Sequence, residues 1–203
     1  MKDEVVPNDS RYIPLTQQEW LCVPTCIQMI MLRNNIPLLP AELIVSRMRL
    51  IIPEKDKHLF WNKNIQIGRK PKAGYGTQLS IHEGVSFINN LLEELKIPLK
   101  MKKRLIDQFK NINQFNNYLK NLSFNDLDII VCLDSGIINY NKIKGGHVCI
   151  LDKVDVNKNE VRLINPSFRR PKWQIIKMEK LFQAMKVHGE KNGAGFWEFS
   201  FLA

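Results

Sequence analysis

The chain reads as an α+β protein, with helices first and a mainly antiparallel sheet after them. Three observations predict this. Residues 21–32 are the longest apolar run, interrupted only by Thr25 and Gln28, so they form a helix that is apolar nearly all round and belongs inside the protein. Ile81, Val85, Ile88, Leu92 and Leu95 recur at alternating spacings of four and three, the stripe of a half-buried helix. From Asp128 onward the pattern becomes short apolar runs between turn-rich segments, which is a sheet.

In chain order, residues 1–19 are polar, hold Pro7 and Pro14, and show no period, as an extended segment would. The Cys22 helix follows and ends near Asn34-Asn35. Pro24 fits its first turn, where a missing N–H costs nothing. Pro37 and Pro40 break the chain, and Pro40 opens a second helix to about Leu50. Residues 51–79 keep no steady period, and a stretch of that length is a lid, one wall of a groove, or an ordinary surface excursion. Gly74 and Gly76 permit backbone bends within it. Ser80-Ile81-His82-Glu83 has the capping-box pattern and opens the amphipathic helix, with His82 off the apolar stripe. A shorter helix runs from Asn113 to Leu122. Asp128–Leu133 is a central strand buried on both faces. His147–Leu151 and Val161–Asn165 are strands joined through the turn-rich Asp155–Asn159, Met178–Met185 is a late helix, and Phe196–Phe201 closes the sheet. No internal repeat is visible, and residues 1–203 are expected to form a single domain.

Composition sets bounds on function. Hydrophobic residues make up 44% and charged residues 25%, a globular balance rather than a disordered one. No apolar run is long enough to span a bilayer. Met1-Lys2-Asp3-Glu4 does not open a secretory signal, so the cytoplasm is the expected location. There Cys22, Cys26, Cys132 and Cys149 are core thiols, a nucleophile or metal ligands rather than a disulfide framework. The formal charge is +10, with clusters at Arg69–Lys72, Lys100–Arg104 and Arg169–Lys172. No nucleic-acid motif accompanies it, so the basic residues read as a solvated surface, and no specific nucleic-acid partner is expected.

Chemistry points first to Cys22. A thiol at a helix start feels the positive end of the helix dipole and unpaired backbone N–H groups, which favour thiolate. The same residue is equally readable as a small buried hydrophobe. His147 and Asn165 add a second observation. Residues that face each other across an antiparallel hairpin have numbers with a constant sum, and the sum of 312 for this pair centres the turn on Val156, inside the turn-rich segment. They should therefore be opposite or diagonal neighbours, provided no bulge intervenes. A carboxamide beside an imidazole holds it in one tautomer, and an imidazole so held beside a helix-start thiol is a nucleophile with its general base. Gln17 and Gln18 each offer an amide N–H that could join the Cys22 backbone N–H in stabilising an oxyanion.

These residues resemble the papain-like cysteine peptidases. They are closest to the branch of bacteriocin-leader-processing, C39-like peptidases and their stand-alone relatives. That branch carries a glutamine before a Cys-Gly-Pro-Ala-x-Leu-x-Met segment, where this chain has Gln17 before Cys22-Val23-Pro24-Thr25-Cys26-Ile27-Gln28-Met29. It also carries a histidine opening an apolar strand and a hairpin ending in Asp-Pro, where this chain has Gly146-His147-Val148 and Asn165-Pro166. The resemblance implies a papain-like fold, with the buried nucleophile helix packed on the sheet. It implies Cys22 as nucleophile, His147 as general base and acid, Asn165 as orienter and Gln17 as oxyanion donor, acting on a peptide or isopeptide bond of a peptide or protein substrate without a cofactor. The chain departs from the branch at Val23, which replaces a glycine. It departs at Gln17, five positions before the cysteine instead of six, which keeps Gln18 as a substitute. It departs at Asn165, which stands for aspartate.

Three other functions fit some of the same residues. Cys22, Cys26, His147 and Cys149 are zinc-compatible by type, although zinc needs neither Asn165 nor Gln17. A deamidase or other acyl-transfer enzyme would use the same thioester chemistry. A non-catalytic module could retain the scaffold for binding. His58 and His188 lie in polar segments and read as solvated, Cys132 and Cys149 as core, and Trp20 as either a wall of the site or packing.

Overall fold

The computed structural model describes residues 7–61, 65–71, 74–78, 84–124, 126–139 and 145–202. The capping-box residues Ser80–Glu83, with Ile81 and His82, lie outside them. The architecture is mixed α+β. The first part holds α1 (Cys22–Arg33), α2 (Ala41–Ser46), β1 (Leu50–Ile52), β2 (Gln66–Ile67), β3 (Gly76–Thr77) and α3 (Gly84–Glu94). The second holds β4 (Leu99–Leu105), α4 (Ile112–Lys120), β5 (Asp128–Asp134), α5 (Ser135–Ile138), β6 (Gly146–Asp155), β7 (Glu160–Ile164), β8 (Trp173–Lys177), α6 (Met178–His188) and β9 (Gly195–Phe201). Among the described residues, no helix is long and apolar enough to cross a membrane.

The main sheet has six strands in the order β4-β9-β5-β6-β7-β8, all antiparallel. β5 is buried at every position, as a central strand covered on both faces must be. Alternation sends its side chains to two separate cores. Ile130, Cys132, Val148 and Ile150 pack with Cys26, Met29 and Ile30 of α1. Ile129, Val131, Leu133, Cys149 and Leu151 pack with Leu181, Ala184 and Met185 of α6. α1 can be buried because the two polar side chains within its apolar run, Thr25 and Gln28, are satisfied internally. Thr25 Oγ1 donates to Leu21 O at 2.8 Å, and Gln28 Nε2 donates to Leu39 O at 2.7 Å.

Several elements differ from the sequence expectation. α2 stops at Ser46, and Leu50 already belongs to a small sheet of order β2-β1-β3 inside the aperiodic stretch. The basic cluster at Lys100–Arg104 is edge strand β4, not an open solvated face. Leu99 and Met101 point inward, and the exposed charges alternate with them, as suits an edge that must not pair with another chain. Lys103 Nζ is buried over the Trp197 ring, 4.7 Å from its centroid. β8, too, escaped the pattern, since it is an edge strand of mixed polarity.

The β6–β7 hairpin carries the feature that places the site. Near the turn its pairs sum to 315, as for Asp155 with Glu160, but beyond Asp152 they sum to 314, as for Leu151 with Leu163. Asp152 is the extra residue of a β-bulge. Side chains alternate faces, so an uninterrupted register of 315 would put Asn165 and His147 on opposite faces. The bulge restores the shared face and makes them diagonal neighbours. Expecting them together was correct, but the bulge brings them together rather than threatening them.

The bulge is held by the N-terminal segment. Asp152 Oδ1 accepts from Ser10 Oγ at 3.1 Å and Arg11 N–H at 3.3 Å, while Oδ2 accepts from Arg162 Nε at 2.5 Å. Arg162 also pairs with Asp9 at 2.7 Å. Asp152 is 4% exposed. Asp152→Ala leaves the half-buried Arg162 with Asp9 as its remaining carboxylate and the Ser10 and Arg11 donors short of an acceptor. It is expected to cost about 3 kcal/mol in urea unfolding, and to loosen the His147–Asn165 contact in the same variant.

Candidate active site

The turn before α1 sets Cys22 in place. Leu21 N–H donates to Gln18 O at 3.1 Å, closing a four-residue turn whose third residue, Trp20, has φ 71°. A bulky side chain in the left-handed region is costly and persists only when its surroundings hold it. Here Trp20 Nε1 donates to Asp56 Oδ2 at 2.9 Å, and the ring meets Tyr75 edge-on with centroids 5.4 Å apart. Trp20 thus ties the turn before Cys22 to the segments around the small sheet. α1 then begins at Cys22 with no side chain capping its first turn, leaving backbone N–H groups directed at the thiol.

Cys22 and His147 line one cavity of about 230 Å³. Tyr75, Gly76, Thr77 and Gln78 form another part of its wall, so the stretch after Ile51 does border a groove. Asn165, fully buried, sits behind the imidazole, with its Oδ1 2.8 Å from His147 Nε2. The amide orientation is fixed from both ends. Ser167 N–H, which can only donate, points at Asn165 Oδ1 at 2.9 Å. At the other end Ser135 O, which can only accept, receives Asn139 Nδ2 at 2.8 Å. Asn139 Oδ1 then accepts from Gln174 Nε2 at 3.1 Å, and Gln174 Oε1 accepts from Asn165 Nδ2 at 2.9 Å. Oδ1 of Asn165 is therefore an acceptor, His147 Nε2 carries the proton, and Nδ1 is left as the basic nitrogen.

The electrostatics correct one expectation. Burial pushes the Cys22 thiol above its ordinary pKa, against the pull of backbone N–H groups at Val148 and Val23. Burial also holds the His147 imidazole below its ordinary value, opposed by the Asn165 hydrogen bond, with Arg170 lowering it further. Helix-start placement alone does not make a resting thiolate here, because desolvation outweighs the backbone donors. Both shifts run toward the neutral form, of the thiol and of the imidazole.

Gln17 and Gln18 separate. Gln17 N–H donates to Pro166 O at 2.8 Å, the residue after Asn165, and its Oε1 is buried without a partner. Its side chain does not line the cavity. Gln18 is exposed, and its Nε2 donates to Leu59 O at 2.5 Å, away from the site. Cys26 is buried with Sγ 3.9 Å from Val148 O, and Cys149 lies in the core on the opposite face of the sheet. Among the described residues no three His, Cys, Asp or Glu side chains group as a metal site, so the zinc-compatible set is not assembled. Cys132 is almost fully buried yet reaches the same cavity as Cys22, and burial pushes its thiol up to about 12.

His188 was expected in solvent and is not there. It ends α6 and lines the cavity, with its ring packed against Gly146 so closely that a Cβ there would lie 2.5 Å from Cε1. With the ring in this position only glycine fits before His147, and that glycine was the one sequence signal for this neighbour. Gln174, Asn139 and Ser167 were also missed, and of these the glutamine in an otherwise apolar run, Trp173–Ile176, was the available clue. His58 is exposed, with Nδ1 2.9 Å from Lys55 O, as expected.

No protein-family model and no curated protein matches the chain. Among solved structures it is similar to a crystal structure from Bacillus anthracis described as a "putative C39-like peptidase", with TM-score 0.52, 14% identity and 94% of each chain covered. The likeness shows the fold. It agrees with the C39-like resemblance of the two sequence signatures at the level of overall architecture.

Gln174→Leu removes the acceptor that fixes Asn165 and leaves a buried N–H unpaired. It is expected to cost about 1–2 kcal/mol in urea unfolding. Nitrogen NMR of His147 should then show a mixture of tautomers, where the wild type shows Nε2–H alone.

Proposed function

We propose that the chain is a cysteine-type peptidase, a single catalytic domain that hydrolyses peptide or isopeptide bonds in a peptide or protein substrate in the cytoplasm. The observation that carries this is the His147–Asn165 contact at 2.8 Å, opening on the cavity that Cys22 shares. The described peptidase with the same fold supports it.

In this mechanism His147 Nδ1 takes the thiol proton as Cys22 Sγ attacks the substrate carbonyl carbon. Burial favours the neutral form of both groups, so in this scheme the proton moves with the attack rather than before it. The oxyanion is met by the Cys22 backbone N–H; Gln17, whose backbone is anchored to Pro166 O, serves as a second donor only by turning its side-chain amide into the cavity, which it does not line in this structure. The imidazolium formed is steadied by Asn165 and gives its proton to the leaving amine, releasing it and leaving a thioester on Cys22. His147 then takes a proton from water, which attacks the thioester, and returns it to the departing sulfur. Gln18 is engaged at Leu59 and has no part in this scheme.

Mass-spectrometric profiling of peptides cut by the wild type and by Cys22→Ala tests the proposal, with all specific products expected to vanish in the variant. Identical profiles would overturn it. His147→Ala is expected to lower kcat/KM by about 10³-fold and to slow alkylation of Cys22. The base must be neutral, and burial lowers its pKa, so the acid limb of kcat/KM should fall below pH 6.5, the ordinary imidazole value. An acid limb above that value would contradict a desolvated His147.

A further inference from the structure

We propose that the Cys22 cavity selects substrates carrying a carboxylate within a residue or two of the attacked carbonyl; this rests on the peptidase function proposed above. Arg49 and Lys191 are exposed and line the same cavity as Cys22 and His147. Arg49 contacts only the neutral Gln66, with Nε 3.3 Å from Oε1, and neither cation has an acidic partner among the described residues. That is unlike Arg33, Arg47, Arg104, Arg162 and Arg169, each of which pairs with an Asp or Glu. His188 lines the same wall, but burial holds its imidazole below the ordinary value, so the positive charge of the wall rests on Arg49 and Lys191.

Among the described residues, no Asp or Glu lines the cavity to neutralise them. The carboxylate within electrostatic reach of His188 is Asp134, which is buried and accepts from Ile137 N–H at 3.1 Å and Gly145 N–H at 3.2 Å. Asp56, near the nucleophile turn, is taken by Trp20. The cations are not occupied with the nucleophile either, since burial and backbone N–H groups set the protonation of Cys22. They are left facing whatever enters. A concave, partly desolvated wall of one sign of charge concentrates the opposite sign, and an arginine fork matches a carboxylate geometrically. The carboxylate can come from an acidic side chain flanking the bond or from the free C-terminus of a peptide.

The test compares iodoacetate with iodoacetamide on the full chain at low salt. Both transfer a carbon to sulfur with loss of iodide, and they differ in charge. The ratio of their second-order rate constants at Cys22, located by peptide mapping, is read against the ratio for mercaptoethanol. It should be about fivefold higher for Cys22, and should fall to the mercaptoethanol value in Arg49→Gln/Lys191→Gln. High salt should lower it in the unaltered protein as well, so the outcome does not depend on the variant alone. A ratio equal to that of mercaptoethanol, or unmoved by both changes, overturns the inference. Peptides with Glu or Gln beside the cut bond, and neutral peptides with free or amidated C-termini, separate the two carboxylate sources. Cleavage with no preference for either carboxylate overturns the charge selection and leaves the peptidase function standing. An intact ratio with no peptide cut leaves charge selection standing and removes the peptidase function.

Discussion

Everything proposed for the site depends on which face of β7 Asn165 occupies, and that is decided by the bulged residue at position 152. A strand offers its side chains to two sides of a sheet with a period of two, so a single extra residue decides whether Asn165 meets His147 or a different core. The bulge is stabilised by contacts from outside the hairpin. Asp152 is bound by Ser10, Arg11 and Arg162, which makes the N-terminal segment a clamp on the register. The same segment continues to Gln17, whose N–H binds Pro166, and then to the turn that presents Cys22. One length of irregular chain thus fixes the hairpin at one end and delivers the thiol at the other.

The chain of amides behind His147 shows how a neutral carboxamide can do the work of an orienting group. Asparagine has no charge to hold an imidazolium, so its geometry must be imposed. It is imposed by Ser167 N–H on one side and by Gln174, Asn139 and Ser135 O on the other. An aspartate at 165 would accept at both oxygens and would need a donor where Gln174 Oε1 now accepts. The asparagine and the glutamine are therefore one choice, not two.

Much of this was legible in the sequence where the signal was periodic. The all-round apolar helix at Cys22, the doubly buried β5 and the hairpin through Asp155–Asn159 follow from hydrophobic pattern, and the structure bears them out. His147 and Asn165 were paired by counting across the turn, although the count missed that the turn and the bulge each shift the register. Residues whose role depends on neighbours far away in the chain were not legible. His188 looked like a polar loop histidine because nothing local shows that α6 ends over Gly146. Gln174 drew no notice because the mixed polarity of the edge strand β8 gives no pattern. Lys103 sat in a basic cluster that reads as solvent-facing until Trp197 is placed beneath it. The helix-start donors at Cys22 are visible in sequence, whereas the burial that opposes them is not.

Gly146 has a consequence of another kind. It contributes no side chain, yet the space it leaves is filled by the ring of His188, so the chemical character of the cavity wall is encoded partly by an absent atom. A larger residue at 146 would run first into the second imidazole, which would have to move. Proteins sharing this fold could therefore diverge in what they admit through one position that appears in no inventory of reactive groups.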